Sequence, residues 1–264
     1  MACLASSSEP RRTAPLAALL AELAQARGER GPALPFGIAA LDERLAEGGL
    51  DGAALHEVAA ACPTLNDDAA STLFVAGIAA RFASKQGFTV FWAVTRFDLY
   101  APGLQQVGLG PDKLLYAQGT SDSAVLAMAE DALRDGSLAC VVAEVKSADQ
   151  TATRRLQLAA SDGKTPMLLY RRHRARDHCP LSGLSAAMTR WRIGCVPSPP
   201  LPHPGVGRGR WSVELVRQRN GNPFSLELDA CDAQGRLALP APARDRTAPP
   251  GRAPGAAGAA SQAA

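Results

Sequence analysis

The 264-residue sequence lacks the features that mark several specialised classes of protein. Its apolar stretch at residues 16–24 is interrupted by Glu22 and is far shorter than the roughly 20 residues that cross a bilayer. We recognise no secretory leader and no C-x-x-C pair, so we expect neither a disulfide framework nor a zinc knuckle. These absences favour a cytoplasmic protein without a membrane segment. The six scattered cysteines are Cys3, Cys62, Cys140, Cys179, Cys195 and Cys231.

The first half of the chain has few basic residues and the second half has few acidic residues, although the net charge of the whole chain is only +3. Residues 1–150 contain 11 Lys and Arg against 18 Asp and Glu, whereas residues 151–264 contain 17 against 7. Such asymmetry indicates a face for nucleic acid or for an acidic partner. A solvated basic surface is the alternative.

Apolar strand-like segments alternate with helical segments of about a dozen residues over the middle of the chain. This alternation predicts an α/β fold whose mostly parallel central sheet is covered by helices on both faces. The predicted strands are 53–59, 88–94, 114–118, 139–145 and 167–170, and the predicted helices are 68–85, 122–135 and 149–160. A shorter helical segment, 38–45, precedes them.

The pattern changes after residue 188, where segments 189–196, 210–218 and 224–228 alternate between apolar and polar residues. Asn220 and Gly221 favour a hairpin turn, so we expect the sheet to end in antiparallel strands. The composition beyond residue 239 is Ala, Pro and Gly with a few Arg, which predicts a disordered C-terminal tail.

Three regions follow from these patterns. Residues 1–35 are predicted to form an N-terminal helix and linker, 36–239 the folded domain and 240–264 the tail. The N-terminal helix has a narrow leucine stripe that must cover something, either its own domain or a neighbouring molecule, and an oligomer is one outcome. Its members are Leu16, Leu19, Leu20 and Leu23.

Two stretches near the start of the domain resemble the RecA superfamily. These are L-D-E-R-L-A-E-G-G-L at 41–50 and A-L-H-E-V at 54–58, which lead into the first predicted core strand. The opening L-P-F-G-I-A-A-L-D at 34–42 and the ending R-W-S-V-E-L-V-R-Q-R-N-G at 210–221 resemble the ImuA family within that superfamily. The resemblance implies a RecA-like core.

A functional nucleotide-binding loop is missing from the place where the resemblance puts one. The loop G-x-x-x-x-G-K-[ST] should follow the first strand, yet no glycine occurs between Gly52 and Gly77, and the first lysine is Lys85. Pro63 removes a backbone donor, and Asp67 and Asp68, which we expect to cap the next helix, repel phosphate. We therefore expect a degenerate Walker A site, no catalytic residues and no cofactor.

Two further chemistries are not favoured by the residues present. Glu144 stands where the resemblance puts a metal-binding carboxylate, but without a phosphate site we expect it to have a packing or surface role. His173, His178 and Cys179 lie close together in sequence, but no fourth ligand is evident, so we expect no metal.

The resemblance to ImuA implies a non-enzymatic accessory factor for error-prone translesion DNA synthesis in the SOS response to DNA damage. The implied partners are ImuB, a Y-family polymerase homologue, together with RecA and an error-prone replicative polymerase subunit. The sequence leaves open whether the chain also contacts DNA directly. A SulA-like cell-division inhibitor that binds FtsZ and an ATP-dependent recombinase paralogue are the alternatives.

Arginines of the second half are the candidate surface for DNA or for a docked protein. Those in segment 171–176 follow a predicted strand, where ligand-facing loops of α/β sheets emerge. The proline-rich loop 197–209 contains no aromatic residue for base stacking, which favours protein contact there. The candidate surface residues are Arg171, Arg172, Arg174, Arg176, Arg190, Arg192, Arg208 and Arg210.

Overall fold

An eight-stranded mixed sheet organises the chain in the computed structural model, which describes residues 32–84, 89–173, 175, 178–198, 205 and 207–240. The predicted N-terminal helix, with Leu16, Leu19, Leu20 and Leu23, lies outside the described residues. So do Arg174, Arg176, most of the loop 197–209 and the tail from residue 241.

The strands match the segments predicted from periodicity to within two residues at each end. They are β1 (Leu55–Ala60), β2 (Val90–Val94), β3 (Leu114–Gln118), β4 (Cys140–Val145), β5 (Met167–Arg171), β6 (Thr189–Val196), β7 (Arg210–Gln218) and β8 (Phe224–Asp229). The helices are α1 (Ala39–Asp42), α2 (Leu65–Phe82), α3 (Ala101–Gln106), α4 (Asp122–Asp135) and α5 (Gln150–Asp162), with a 3₁₀ turn at Pro111–Lys113.

The strand order across the sheet is β3-β2-β4-β5-β1-β6-β7-β8. Strands β1 to β6 are parallel, β7 pairs with β6 in antiparallel fashion, and β8 pairs with β7 in the same way. The predicted α/β class with an antiparallel end is therefore confirmed. Asn220 has a φ of 63° in the turn between β7 and β8, as its positive-φ tolerance predicts.

Apolar side chains of the parallel strands alternate between two cores, one on each face of the sheet. On one face α2 packs with Trp92, Trp191 and Trp211. On the other face α4 and α5 cover Leu55 and Met167. Both faces of the parallel part of the sheet are buried, so ligands have access at the ends of these strands, and in open α/β sheets they bind beyond the carboxyl ends.

The helical pattern did not predict α3 or the 3₁₀ turn, and α1 is shorter than expected. Segment 101–106 contains Pro102 and Gly103, which break helical periodicity. The carboxylate of Asp42, at the end of α1, accepts hydrogen bonds from the backbone N–H groups of Phe36, Gly37 and Ile38. Among the described residues, no helix is both long and apolar enough to span a membrane.

Candidate functional site

The carboxylate of Asp67, in the first turn of α2, binds a backbone N–H group of the loop between β1 and α2. The Asp67 carboxylate accepts hydrogen bonds from the backbone N–H of Cys62 at 3.0 Å and from that of Cys195, on β6, at 2.8 Å. Asp67 is buried. The carboxylate thus occupies donors of the loop and ties α2 to the ends of β1 and β6.

Thr64 is the residue that caps α2, not Asp67 or Asp68 as expected. Its hydroxyl oxygen accepts a hydrogen bond from the Asp67 N–H at 3.2 Å, which satisfies one of the unpaired donors at the helix N-terminus. Asp67 and Asp68 lie in the first turn, where a negative charge suits the helix dipole. Their carboxylates point to other elements.

Arg172 joins three carboxylates at the carboxyl edge of the sheet. Its Nη1 donates to Asp68 at 2.7 Å, its Nε to Glu144 at 2.7 Å and its Nη2 to Asp98 at 3.4 Å. Burial acts to lower the pKa of Arg172, but the charges of Glu144 and Asp68 outweigh it and the pKa is raised. This arginine stays charged and links α2, β4 and the segment after β2.

Glu144 is buried at the end of β4 and also accepts a hydrogen bond from the indole of Trp92 at 2.8 Å. Burial raises the pKa of its carboxyl group, and the charge of Arg172 opposes that rise. Tyr170 donates its hydroxyl to Asp68, and burial raises its pKa as well. Both carboxylate oxygens of Glu144 thus have a structural partner, which agrees with a packing role for this buried side chain.

Arg171 and Arg190 are buried on the face of the sheet opposite α2. They flank the carboxylate of Glu57, with Nη1 of Arg171 at 2.8 Å and Nε of Arg190 at 2.6 Å. Glu57 is completely buried, and the two arginines are at most 7% exposed. We therefore exclude Arg171 and Arg190 from the candidate surface, because neither guanidinium faces solvent.

The remaining described arginines of the candidate surface each have a partner on another element. Arg192 pairs with Glu214 at 3.2 Å, and Arg210 lies 3.7 Å from Asp229, both on the antiparallel part of the sheet. Arg208 donates to the carbonyls of Ala230 and Arg236, in the turn after β8. Arg172 lies at the carboxyl edge.

A cleft of about 290 Å³ opens at the carboxyl edge around Arg172. Leu65, which is exposed, lines the cleft. Phe97 and Tyr100 are also exposed and lie in the segment after β2, which contributes Arg96 and Asp98 to the lining. The outward charges are Arg96 and Lys146. We call this surface, with Leu65, Phe97 and Tyr100, the apolar rim.

Two of the described histidines, His56 and His173, contact neighbouring elements through their rings. His56 contacts Thr189 Oγ1 at 2.7 Å and the Asp51 carbonyl at 2.9 Å, and burial lowers its pKa, which keeps it neutral near pH 7. His173 Nε2 lies 2.9 Å from the carbonyl of Ala60. Within the described residues, no group of three or more His, Cys, Asp or Glu side chains forms a metal site.

Comparison with known proteins identifies the family. Protein ImuA of Caulobacter vibrioides strain NA1000 is 37% identical over 207 residues, which cover 76% of this chain and 85% of the relative. The chain belongs to the ImuA family. ImuA of a second C. vibrioides strain, ATCC 19089, matches with the same identity and coverage. No model of a protein family matches the chain.

Among solved structures, SulA from Pseudomonas aeruginosa has a TM-score of 0.38 and 23% identity, covering 45% of this chain and 97% of SulA. A TM-score of this size does not establish a shared fold.

In this ImuA-family chain, sequence reasoning missed the apolar rim and the partners of Asp67. Phe97 and Tyr100 stand beside the predicted strand 88–94 in a segment with no periodicity, so no pattern separated them from core residues. The pair Asp67 and Asp68 was a detectable signal, but the partner on β6 lies far away in the sequence.

Proposed function

We propose that the chain is a non-catalytic accessory factor in damage-induced, error-prone translesion DNA synthesis, and that it binds an ImuB-type polymerase homologue. Membership of the ImuA family carries this proposal. RecA and an error-prone replicative polymerase subunit are further partners in the proposed assembly. The partner-binding domain is residues 36–239, preceded by a helix and linker at 1–35 and followed by a tail at 240–264.

The geometry of the loop after β1 supports a role without ATP hydrolysis. A phosphate-binding loop presents its backbone N–H groups to an anionic ligand. Here the carboxylate of Asp67 already accepts the N–H of Cys62, and Pro63 has no N–H to offer. A nucleotide would have to displace an internal negative charge.

The apolar rim supports protein contact at the carboxyl edge. Leu65, Phe97 and Tyr100 are 88%, 58% and 73% exposed. Aromatic side chains are enriched at protein interfaces because they bury a large area with few rotatable bonds. We therefore place the contact with the polymerase homologue on this rim.

Co-purification tests the proposed partner and its surface together. A tagged chain is co-expressed with the ImuB-type homologue of the same genome, and the amount retained is measured for the wild type and for Phe97→Ser/Tyr100→Ser. We expect the wild type to retain the homologue and the double variant to lose at least about 1 kcal/mol of binding free energy, because hot-spot aromatics contribute this much.

Leu184→Ser is the matched control, since Leu184 is 73% exposed and lies outside the rim. Circular dichroism checks that each variant folds. No retention of the homologue by the wild type would contradict the function, whereas equal retention by the rim variant would contradict only the surface. Saturable binding of labelled ATP that is lost when residues 60–68 are changed would contradict the non-catalytic role.

A further inference from the structure

A second cleft, of about 360 Å³, lies at the opposite, amino edge of the sheet. Its walls come from the C-terminal end of α2, the 3₁₀ turn before β3 and the turn that follows β8. We call it the amino-edge cleft. Its lining residues are Leu34, Ala80, Arg81, Ser84, Gly108, Lys113, Ala233, Gln234 and Arg236.

Three cations and no carboxylate line this cleft among the described residues. The cations are Arg81, Lys113 and Arg236, and the hydroxyl of Ser84 adds a hydrogen-bond donor. The cleft at the carboxyl edge differs, because carboxylates surround its arginine. Like charges gathered on one concave surface repel each other unless an anion lies between them.

Two of the three cations have no side-chain partner among the described residues. Within the described part of the chain, neither the Lys113 ammonium nor the Arg236 guanidinium has an ion pair or a side-chain hydrogen bond. Arg81 donates to the carbonyl of Pro35 and stacks over the ring of Phe36, 5.7 Å from its centroid. Its guanidinium is therefore held in place, and no ion pair among the described residues includes it.

Two carboxylates that act on Arg81, those of Asp42 and Asp232, also accept hydrogen bonds from the backbone. Asp232 accepts hydrogen bonds from the N–H groups of Gln234 and Arg236, both at 2.9 Å, and Asp42 accepts those of segment 36–38. Burial lowers the pKa of Arg81, Cys231 and Asp42 raise it, and the smaller effects of Arg236 and Asp232 lower and raise it. Arg236 thus acts on Arg81 as a like charge, although Asp42 acts on it more strongly in the opposite direction.

The turn that contains Arg236 is fixed against α2. Arg208 Nη2 donates to the carbonyl of Arg236 at 2.7 Å. A Cβ added at Gly77, in α2, would lie 2.5 Å from Sγ of Cys231, so the turn packs directly on the helix. The backbone of the cleft is consequently preorganised, which lowers the entropic cost of binding.

We propose that the amino-edge cleft binds phosphates of a DNA strand, through Arg81, Ser84, Lys113 and Arg236. Arg236 and Ser84 are exposed, so the cleft is open and suits one part of a long polyanion better than a small ligand that must be enclosed. This contact goes beyond the proposed function, which concerns a protein partner on the opposite edge of the sheet.

Fluorescence anisotropy with a labelled single-stranded oligonucleotide tests the site over a range of salt concentrations. The full chain is compared with Lys113→Gln/Arg236→Gln. Each lost phosphate contact makes the slope of log Kobs against log salt less steep by about 0.7, so we expect a change of about 1.4 and a roughly 25-fold loss of affinity at about 0.1 M salt.

Arg96→Gln is the control, since Arg96 is a 76% exposed arginine at the other edge, and it should leave the slope unchanged. No DNA binding by the wild type, or the same slope in the double variant, would overturn the proposal. The proposal would also be overturned if ATP or polyglutamate displaced the labelled oligonucleotide as effectively as unlabelled DNA of the same total charge. Retention of the ImuB-type homologue by the double variant would separate this site from the proposed function.

Discussion

Several charged residues in this protein are bound by other side chains inside the fold. Glu57, on β1, is hydrogen-bonded to arginines on both neighbouring strands, Arg171 on β5 and Arg190 on β6. All three side chains are buried, so each guanidinium depends on the one carboxylate for its counter-charge. The alternation of Arg190 with Trp191 correctly predicted opposite faces, but not that the arginine face is covered.

Replacing Glu57 tests this dependence. Glu57→Gln keeps the size of the side chain but leaves two buried guanidinium groups without an anion, so we expect the free energy of unfolding to fall by about 3–5 kcal/mol. Urea denaturation followed by circular dichroism measures the change. Glu227→Gln, at an exposed position of β8, should stay within about 0.5 kcal/mol of the wild type. A change below about 1 kcal/mol in Glu57→Gln would show that the arginines reach solvent.

At the scale of elements, α2 connects the two edges of the sheet. Its first turn holds Asp67, which bonds β6, and its last turn holds Arg81, in the amino-edge cleft. Between them Gly77 faces the turn after β8. The helix was predictable from its apolar residues and its flanks, because both signals are local. Its glycine contact was not, because Cys231 lies far along the chain.

A methyl group at Gly77 should push this turn away from α2. Because the added Cβ would lie 2.5 Å from Cys231 Sγ, we expect Gly77→Ala to lower the free energy of unfolding by about 1–2 kcal/mol, despite the better helix propensity of alanine. In a Cys231→Ala background the sulfur is gone and the loss should be smaller. A double-mutant cycle by urea denaturation measures this coupling, and strict additivity would refute the contact.

On the scale of the whole molecule, the carboxyl and amino ends of the parallel strands differ in their charges. Carboxylates neutralise Arg172 at the carboxyl edge, whereas three cations lack a lining carboxylate at the amino edge. Both cores share the same strands, since each strand sends alternate side chains to opposite faces. The described part of the chain should consequently unfold as one unit.

Cooperative unfolding is measurable on the chain shortened to residues 32–240. We expect urea transitions followed by tryptophan fluorescence and by far-ultraviolet circular dichroism to coincide, because Trp92, Trp191 and Trp211 lie in one core and the backbone signal reports on both. The full chain, measured in the same way, is the control. Two separate transitions would show that the two faces are independently stable.

The sequence by itself determined the eight strands, the three long helices α2, α4 and α5, and the fold class. Period-two and continuous apolar segments gave β3, β6 and β7 with the observed ends, and Asn220 and Gly221 indicated the hairpin. The missing glycines and lysine predicted that the loop after β1 does not resemble a phosphate-binding loop, and these signals are local. Only the tertiary structure decided which charges are internal, because the partners of Asp67, Glu57 and Arg172 come from distant elements. Whether a charged side chain on the sheet is buried depends on which elements cover that face of the sheet, and those elements come from distant parts of the chain.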